Sequence, residues 1–294
     1  MTISATDSPA QAGAEGSPST AAGLTVVEPP IGWQVINVRE LWKARELIFF
    51  LAWRDVKVRY KQTALGAAWA VLQPLMMMVV FSIFFGRMAG VPSGGVPYPL
   101  FVLVGLLPWT FFAAAVTAAG NSVVGSERLI TKIYFPRLAV PLASVGASAV
   151  DFAVACVLLG AMMAWYGVAP GPGLLLAPVA FGLIATLALG LGTLLAALNV
   201  AYRDFKYMIP FLMQIGMFAT PTVYMDPSAA ARGRYAWLLA INPMTTLVAT
   251  FRAAVLGGPI AWGSLALAAA ASGLAFLLGC LYFRRVEDSF ADVI

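Results

Sequence analysis

Side chains that do chemistry are few in this 294-residue sequence, and their spacing suits no familiar catalytic arrangement. Histidine is absent, which excludes a histidine-based triad and any Cys/His metal cluster. The two cysteines, Cys156 and Cys280, fall in separate apolar runs, where thiols act as small core residues. Between Arg137 and Arg203 the only charge is Asp151. A lone acid in such a run is either a proton carrier or a carboxyl hydrogen-bonded to a neighbouring helix. No basic residue accompanies it in the core of its own or an adjacent run, and the structural role is preferred. No GxxxxGK[ST] phosphate loop occurs, and no paired carboxylates flank a nucleophile. The chain is therefore expected not to be an enzyme, and to hold neither a cofactor nor a metal.

The elements that must position these residues are apolar helices. Hydrophobic residues make up 61% of the chain and charged residues only 11%, against about 25% charged in ordinary soluble domains. A crossing needs roughly 20 apolar residues. Leu65–Phe85, Leu100–Ala119, Leu138–Trp165 and Leu174–Leu198 meet that need, with loop signals at Gly90–Pro99 and Tyr166–Gly173 between them. A fifth run lies between Lys206 and Asp226, and a last one is Ile260–Tyr282. The segment Ala236–Gly257 is also apolar, but carries Pro243 near its middle and Arg252.

Charge asymmetry sets the orientation, since Lys and Arg in short loops mark the cytoplasmic side. The net charge of +5 is gathered there, which argues for a membrane surface and against nucleic acid. Basic residues cluster before the first run (Arg54, Lys57, Arg59, Lys61), after the second (Arg128, Lys132, Arg137), after the fourth (Arg203, Lys206) and in the tail (Arg284, Arg285). Both termini are then cytoplasmic and the number of crossings is even. The expected fold is an all-α integral membrane protein with six transmembrane helices. Ala236–Gly257 becomes a re-entrant helical hairpin between spans five and six, kinked at Asn242-Pro243, a broken element of the kind tolerated where protein buries it or a wet cavity receives it.

Residues 1–36, rich in Ala, Gly, Ser, Thr and Pro, read as a disordered cytoplasmic tail, and 37–294 as one membrane domain. Asn37–Thr63 has Leu41, Ala44, Ile48 and Leu51 at helical spacing and reads as an amphipathic helix in the cytoplasmic interface. In the loop after span two, Ser126 is placed to cap a short helix with Glu127 in its first turn, followed by Arg128, Ile130, Thr131 and Lys132. Such a helix suits a cytoplasmic partner, although an ordinary connecting loop has the same pattern.

RDVKVRYKQTALGAAWAVLQPL (Arg54–Leu75), NVAYRDFKY (Asn199–Tyr207), PTVY (Pro221–Tyr224), INPM (Ile241–Met244) and FR (Phe251, Arg252) follow one another along the chain. In order and spacing they resemble type-2 ABC exporter permeases, in the branch exporting O-antigen, capsule and teichoic acid. The resemblance runs from about Leu41 to the C-terminus. It implies a homodimer with a channel at its interface, docked on two copies of a cytoplasmic ABC ATPase that bind the ATP and Mg. It implies a lipid-linked glycan substrate, normally on undecaprenyl diphosphate, and a bacterial inner-membrane location. By the same resemblance Ser126–Tyr134 transmits ATPase motion, and Arg54, Lys57, Arg59 and Lys61 attract the lipid diphosphate. Arg203 and Asp204 form a cytoplasmic Arg-Asp pair. Phe84, Phe85, Phe218 and Tyr224 line the channel, and Asn242 and Pro243 form the external gate. The competing readings are a type-2 permease for a drug or lipid, a proton-driven carrier using Asp151, and a membrane scaffold that transports nothing.

Overall fold

The structure is a computed structural model, and it describes residues 38–61, 68–133, 135–225, 241–287 and 290. The expected N-terminal tail and the first arm of the expected hairpin lie outside the described residues, as does Tyr134. Among those described there is no strand. The helices are α1 (Val38–Lys43), α2 (Arg45–Lys61), α3 (Ala68–Phe81, continued as a π-helical stretch over Ser82–Met88), α4 (Tyr98–Gly125), α5 (Glu127–Ile130) and α6 (Ala139–Tyr166). After them come α7 (Ala177–Ala201), α8 (Phe205–Phe218), α9 (Pro243–Leu256) and α10 (Trp262–Val286).

Among the described residues, five helical segments are long and apolar enough to cross a membrane: Ala68–Met88, Tyr98–Gly125, Ala139–Tyr166, Leu174–Ala201 and Trp262–Val286. They coincide with expected spans one to four and six. The expected fifth crossing is not among them. There α8 stops after 14 residues, about 21 Å of rise, short of the roughly 30 Å of a hydrocarbon core. Thr220-Pro221 interrupts it, because Pro221 has no N–H to continue the ladder, and only a 3-10 turn follows over Pro221–Val223.

At the centre lies α4, apolar all round and buried on every side from Leu100 through Trp109. It packs most extensively on α7 and α6, while α7 packs on α10. Small residues make these approaches possible. A Cβ added at Gly190 of α7 would come within 2.5 Å of the Ala275–Phe276 peptide of α10, and one at Gly192 within 2.6 Å of the Ala119 Cβ. Between helices in lipid there is no hydrophobic driving force, so such close van der Waals packing carries the association. The rings of Phe111, Phe152 and Phe181 knit α4, α6 and α7 at centroid distances of 4.6–5.5 Å. At the C-terminal ends, the buried Asn199 amide of α7 donates to the Gly120 carbonyl (3.0 Å) and to the Asn121 side chain (3.2 Å) of α4. Both cysteines are free thiols.

The segment expected to be an interfacial helix is helical over α1 and α2, with Ala44 between them. Hydrogen bonds from Ala44 N to Glu40 O and from Ile48 N to Ala44 O carry the ladder through the junction. Leu41, Ile48 and Leu51 face the bundle in a cluster with Ala139, Val140 and Ala143 of α6. The helix is not apolar on that face alone. Phe49 and Phe50 are more than 60% exposed on other sides, an arrangement that suits protein on one flank and lipid on another.

Candidate functional site

Three groups of predicted residues can be followed through the fold. The first is the turn after α4. Ser126 ends α4 and precedes the single turn α5, and its backbone carbonyl accepts from Leu129 N (2.9 Å) and Ile130 N (3.1 Å). The capping bond expected from the Ser126 hydroxyl is not formed. The residue is buried in the junction, and the carbonyl holds the turn instead. Ile130 is buried with Leu51, Phe135 and Leu138, which anchors the turn to α2 and α6. Glu127, Arg128, Thr131 and Lys132 are all exposed. The turn therefore presents charge outward on an apolar anchor. Arg203 and Asp204, between α7 and α8, are likewise exposed and make no side-chain bond among the described residues.

The second group is the basic end of α2, whose four predicted residues do not act alike. Arg54 pairs with Asp55 at 2.8 Å, and the Lys57 ammonium lies 5.6 Å from the Trp53 ring centroid. Arg59 pairs with Asp151 of α6, and the Tyr60 hydroxyl donates to the same carboxylate. Lys61 is exposed. The partner of Asp151 was missed in the sequence because Arg59 stands 92 residues away, outside the apolar runs. Only the docking of α2 along α6 brings the two together. Beside this pair opens a cavity of about 430 Å³, lined among others by Arg59, Asp151, Gln73, Trp69, Thr110 and Phe111.

The third group surrounds the interrupted helix. A Cβ on Gly120 would meet the Ile209 side chain at 2.7 Å, and one on Gly216 would meet Trp109 at 2.8 Å. So α8 runs antiparallel to α4 and ends beside Trp109, near the middle of α4. The chain then continues along α4 without α-helix, until Tyr98, the first residue of α4, donates from its hydroxyl to the Tyr224 carbonyl (2.7 Å). Met244, Leu247 and Val248 of α9 share a cluster with Leu106, Trp109 and Phe112, whereas Phe251, Ala254 and Val255 share one with Leu100, Leu103 and Leu107. Thus α9 begins at mid-depth of α4 and climbs toward the end where α4 starts. There Gly171 N donates to Val255 O at 2.8 Å. Gly257 closes α9 in a left-handed conformation (φ 78°), a cap that glycine adopts without a Cβ penalty.

Asn242 joins the two broken ends. Its Nδ2 donates to the Ala219 carbonyl (3.2 Å) and the Thr220 hydroxyl (3.0 Å), and its Oδ1 accepts from Met244 N (3.0 Å). One amide thus satisfies the Ala219 carbonyl at the end of α8 and caps α9, whose Pro243 sits at the first turn where no N–H is needed.

Of the predicted channel aromatics, Phe85 and Tyr224 stack at 4.6 Å together with Phe81, and the Tyr224 hydroxyl donates to the Phe218 carbonyl (3.3 Å). Phe84 and Phe218 are exposed and outside the stack. Two contributors escaped sequence reading. Tyr98 packs on Gly86, and the Arg252 guanidinium lies 3.9 Å from the Phe101 ring centroid with Nη2 donating to Val223 O (3.5 Å). The signal for Arg252 was its presence in an apolar stretch, where arginine is costly without partners.

Broken apolar elements inside a helical membrane bundle are tolerated where protein buries them or a wet cavity receives them, as in transporters. Residues 46–256, well over half of the chain, match the ABC-2 type transporter family, and the chain belongs to it. It is 31% identical over 260 residues to the O-antigen export system permease protein RfbA of Myxococcus xanthus, covering 87% of this chain and 98% of that one. An O-antigen export system permease protein RfbA of Klebsiella pneumoniae is 23% identical over 251 residues (85% and 95%). The polysialic acid transport protein KpsM of Escherichia coli is 23% identical over 242 residues (80% and 92%). The chain is thus a multi-pass membrane protein of a transporter family.

Proposed function

We infer that this chain is the channel-forming subunit of an ATP-driven exporter that carries a lipid-linked polysaccharide out across the bacterial inner membrane. The observation that carries the reading is the break at Ala219–Thr220 held by Asn242, in a chain similar along most of its length to O-antigen export permeases. Six crossings and cytoplasmic termini follow if α8 and the Pro221–Tyr224 segment together form the fifth. In that topology α9 is the returning arm of a hairpin entering from the external side.

The chain carries no phosphate loop, so ATP and Mg belong to a separate cytoplasmic ATPase, of which two copies would dock below a homodimer. The exposed Glu127–Lys132 turn is its docking point. At one end α4 bears this turn, at mid-depth it lies under the end of α8, and at the other end it holds Tyr98 and Phe101 against Tyr224 and Arg252. A push on the turn is delivered by α4 to the broken elements. The exposed apolar side chains of α3 and α8, among them Phe84, Phe211, Ile215 and Phe218, suit the second copy and the channel wall. Undecaprenyl diphosphate is the expected lipid anchor, drawn toward the basic end of α2.

The pairing of Asp151 with Arg59 and Tyr60 accounts for the intramembrane acid without proton transport. The test is affinity purification of the tagged chain in mild detergent with mass spectrometry, beside surface-glycan analysis of a strain lacking the gene. A stoichiometric ATPase with a phosphate loop and loss of a surface polysaccharide are expected. No ATPase after crosslinking, or an unchanged glycan, overturns the reading.

A further inference from the structure

The cavity beside Asp151 has no role in the function above, and its wall is unusual for a transmembrane bundle. It lies where α2 ends and α3 begins, against the middles of α4 and α6. At about 430 Å³ it falls within the 300–1,000 Å³ of small-molecule sites. Gln73 of α3 reaches it, is exposed, and makes no hydrogen bond among the described residues. Its amide is therefore free to act as both donor and acceptor toward a ligand in the cavity. Pro74, next in sequence, has no N–H to give the Ala70 carbonyl one turn back, and Ala70 also lines the cavity. The Thr110 and Ser148 hydroxyls spend their protons on Leu107 O and Ser144 O, which leaves their oxygens as acceptors.

The charges decide which polar ligand this is. Arg59 and Asp151 neutralise one another, so the wall has no net charge to hold a free anion. It offers donors on the guanidinium and the Gln73 amide, and acceptors on the carboxylate, the amide and the hydroxyls. Trp69, half exposed, adds an aromatic face. Donors and acceptors interleaved beside a ring match a neutral polyhydroxylated ring with one C–H face. We propose that this cavity binds a neutral sugar ring of a glycolipid, the ring lying against Trp69 with its hydroxyls on Gln73 and Asp151. The proposal rests on the reading of the chain as an exporter of a lipid-linked glycan and adds a subsite to it.

The test is photolabelling of the full chain in nanodiscs with a dodecyl β-glucoside bearing a diazirine next to the sugar. The expected label maps to the peptides containing Trp69–Pro74 and Ser148–Ala155. Excess dodecyl β-glucoside suppresses it, and dodecyl phosphocholine of the same chain length does not. Gln73→Leu keeps size and folding and removes the amide; it lowers labelling about fivefold, the scale of one lost hydrogen bond. Asp151→Asn, which keeps the shape of the side chain, lowers it to a similar extent. Equal competition by the phosphocholine means a lipid groove and overturns the proposal, as does unchanged labelling of both variants. A strain that loses surface glycan on deletion, while its purified chain is not labelled, loses the subsite and keeps the export function. Labelling in a chain whose deletion leaves the glycan intact refutes the export function alone.

Discussion

The Asn242 amide donates to the Thr220 hydroxyl at 3.0 Å, across 22 residues of sequence, and thereby ties the end of one interrupted helix to the start of another. The α7–α10 contact, by contrast, is made through glycine backbone. At this point the contact is a single polar side chain. It is also where the backbone leaves the α-helical ladder within the depth spanned by α4, so the amide supplies partners that water cannot.

Asn242→Asp and Asn242→Ala separate the two jobs of that amide. Aspartate keeps the oxygen that caps Met244 N and loses the donor to Ala219 and Thr220, while alanine loses both. Loss of an N-cap costs about 1 kcal/mol and each lost hydrogen bond about as much. Melting of the purified chain should rank wild type above Asp above Ala, with export falling in the same order. An alanine variant that melts and exports like wild type would show that the tie is incidental.

The exposed turn makes the opposite prediction. Glu127→Ala and Lys132→Ala touch no packed side chain, so stability should stay within about 0.5 kcal/mol. Recovery of the ATPase with the tagged permease should fall. Ile130→Ala, which empties a buried site, should cost about 2–4 kcal/mol. Equal ATPase recovery from the double Glu127/Lys132 variant and wild type would place the docking surface elsewhere.

Removing one member of the Arg59–Asp151 pair strands the other. Both side chains keep some exposure, 39% for Arg59 and 24% for Asp151, so the coupling is screened and should amount to about 1 kcal/mol in a double-mutant cycle. Arg59→Leu with Asp151→Leu should therefore cost less than the sum of the single changes. Additive losses, measured by melting in nanodiscs, would mean that the two groups do not interact.

Gly190→Val tests the α7–α10 contact. A side chain there meets the Ala275–Phe276 backbone, which cannot move aside as a flexible side chain does. Overpacking costs typically 1–3 kcal/mol and more when backbone is the obstacle. Yield and monodispersity in detergent should collapse, whereas Gly182→Ala, where a Cβ meets nothing, should be silent. Normal behaviour of Gly190→Val would show that α10 packs against α7 differently.

Arg252→Lys keeps the charge of the buried cation and discards its planar face. Lysine cannot lie over Phe101 and reach the Val223 carbonyl in the same fork, so the exchange is not conservative. A loss of about 1–2 kcal/mol is expected, with raised ion leak through reconstituted protein if this end seals the channel. Unchanged melting and leak together would remove Arg252 from the seal.

The sequence by itself determined the membrane class and the places of five spans, because runs of about 20 apolar residues have no other stable setting than a bilayer or a core larger than this chain can build. It also marked the kink at Asn242-Pro243, since Pro243 lacks a donor for the helix interior, whereas the break at Thr220-Pro221 fell inside a run that reads as one unbroken span. Only the tertiary structure decided that Ala219–Thr220 and Asn242 meet, that Arg59 and not a neighbouring span neutralises Asp151, and that Arg252 lies on Phe101. Periodicity records which face of a helix is apolar and says nothing of which other helix it will meet. Polar partners far apart in sequence become neighbours only when close-packed glycines and alanines fix the depth and rotation of each helix against the next.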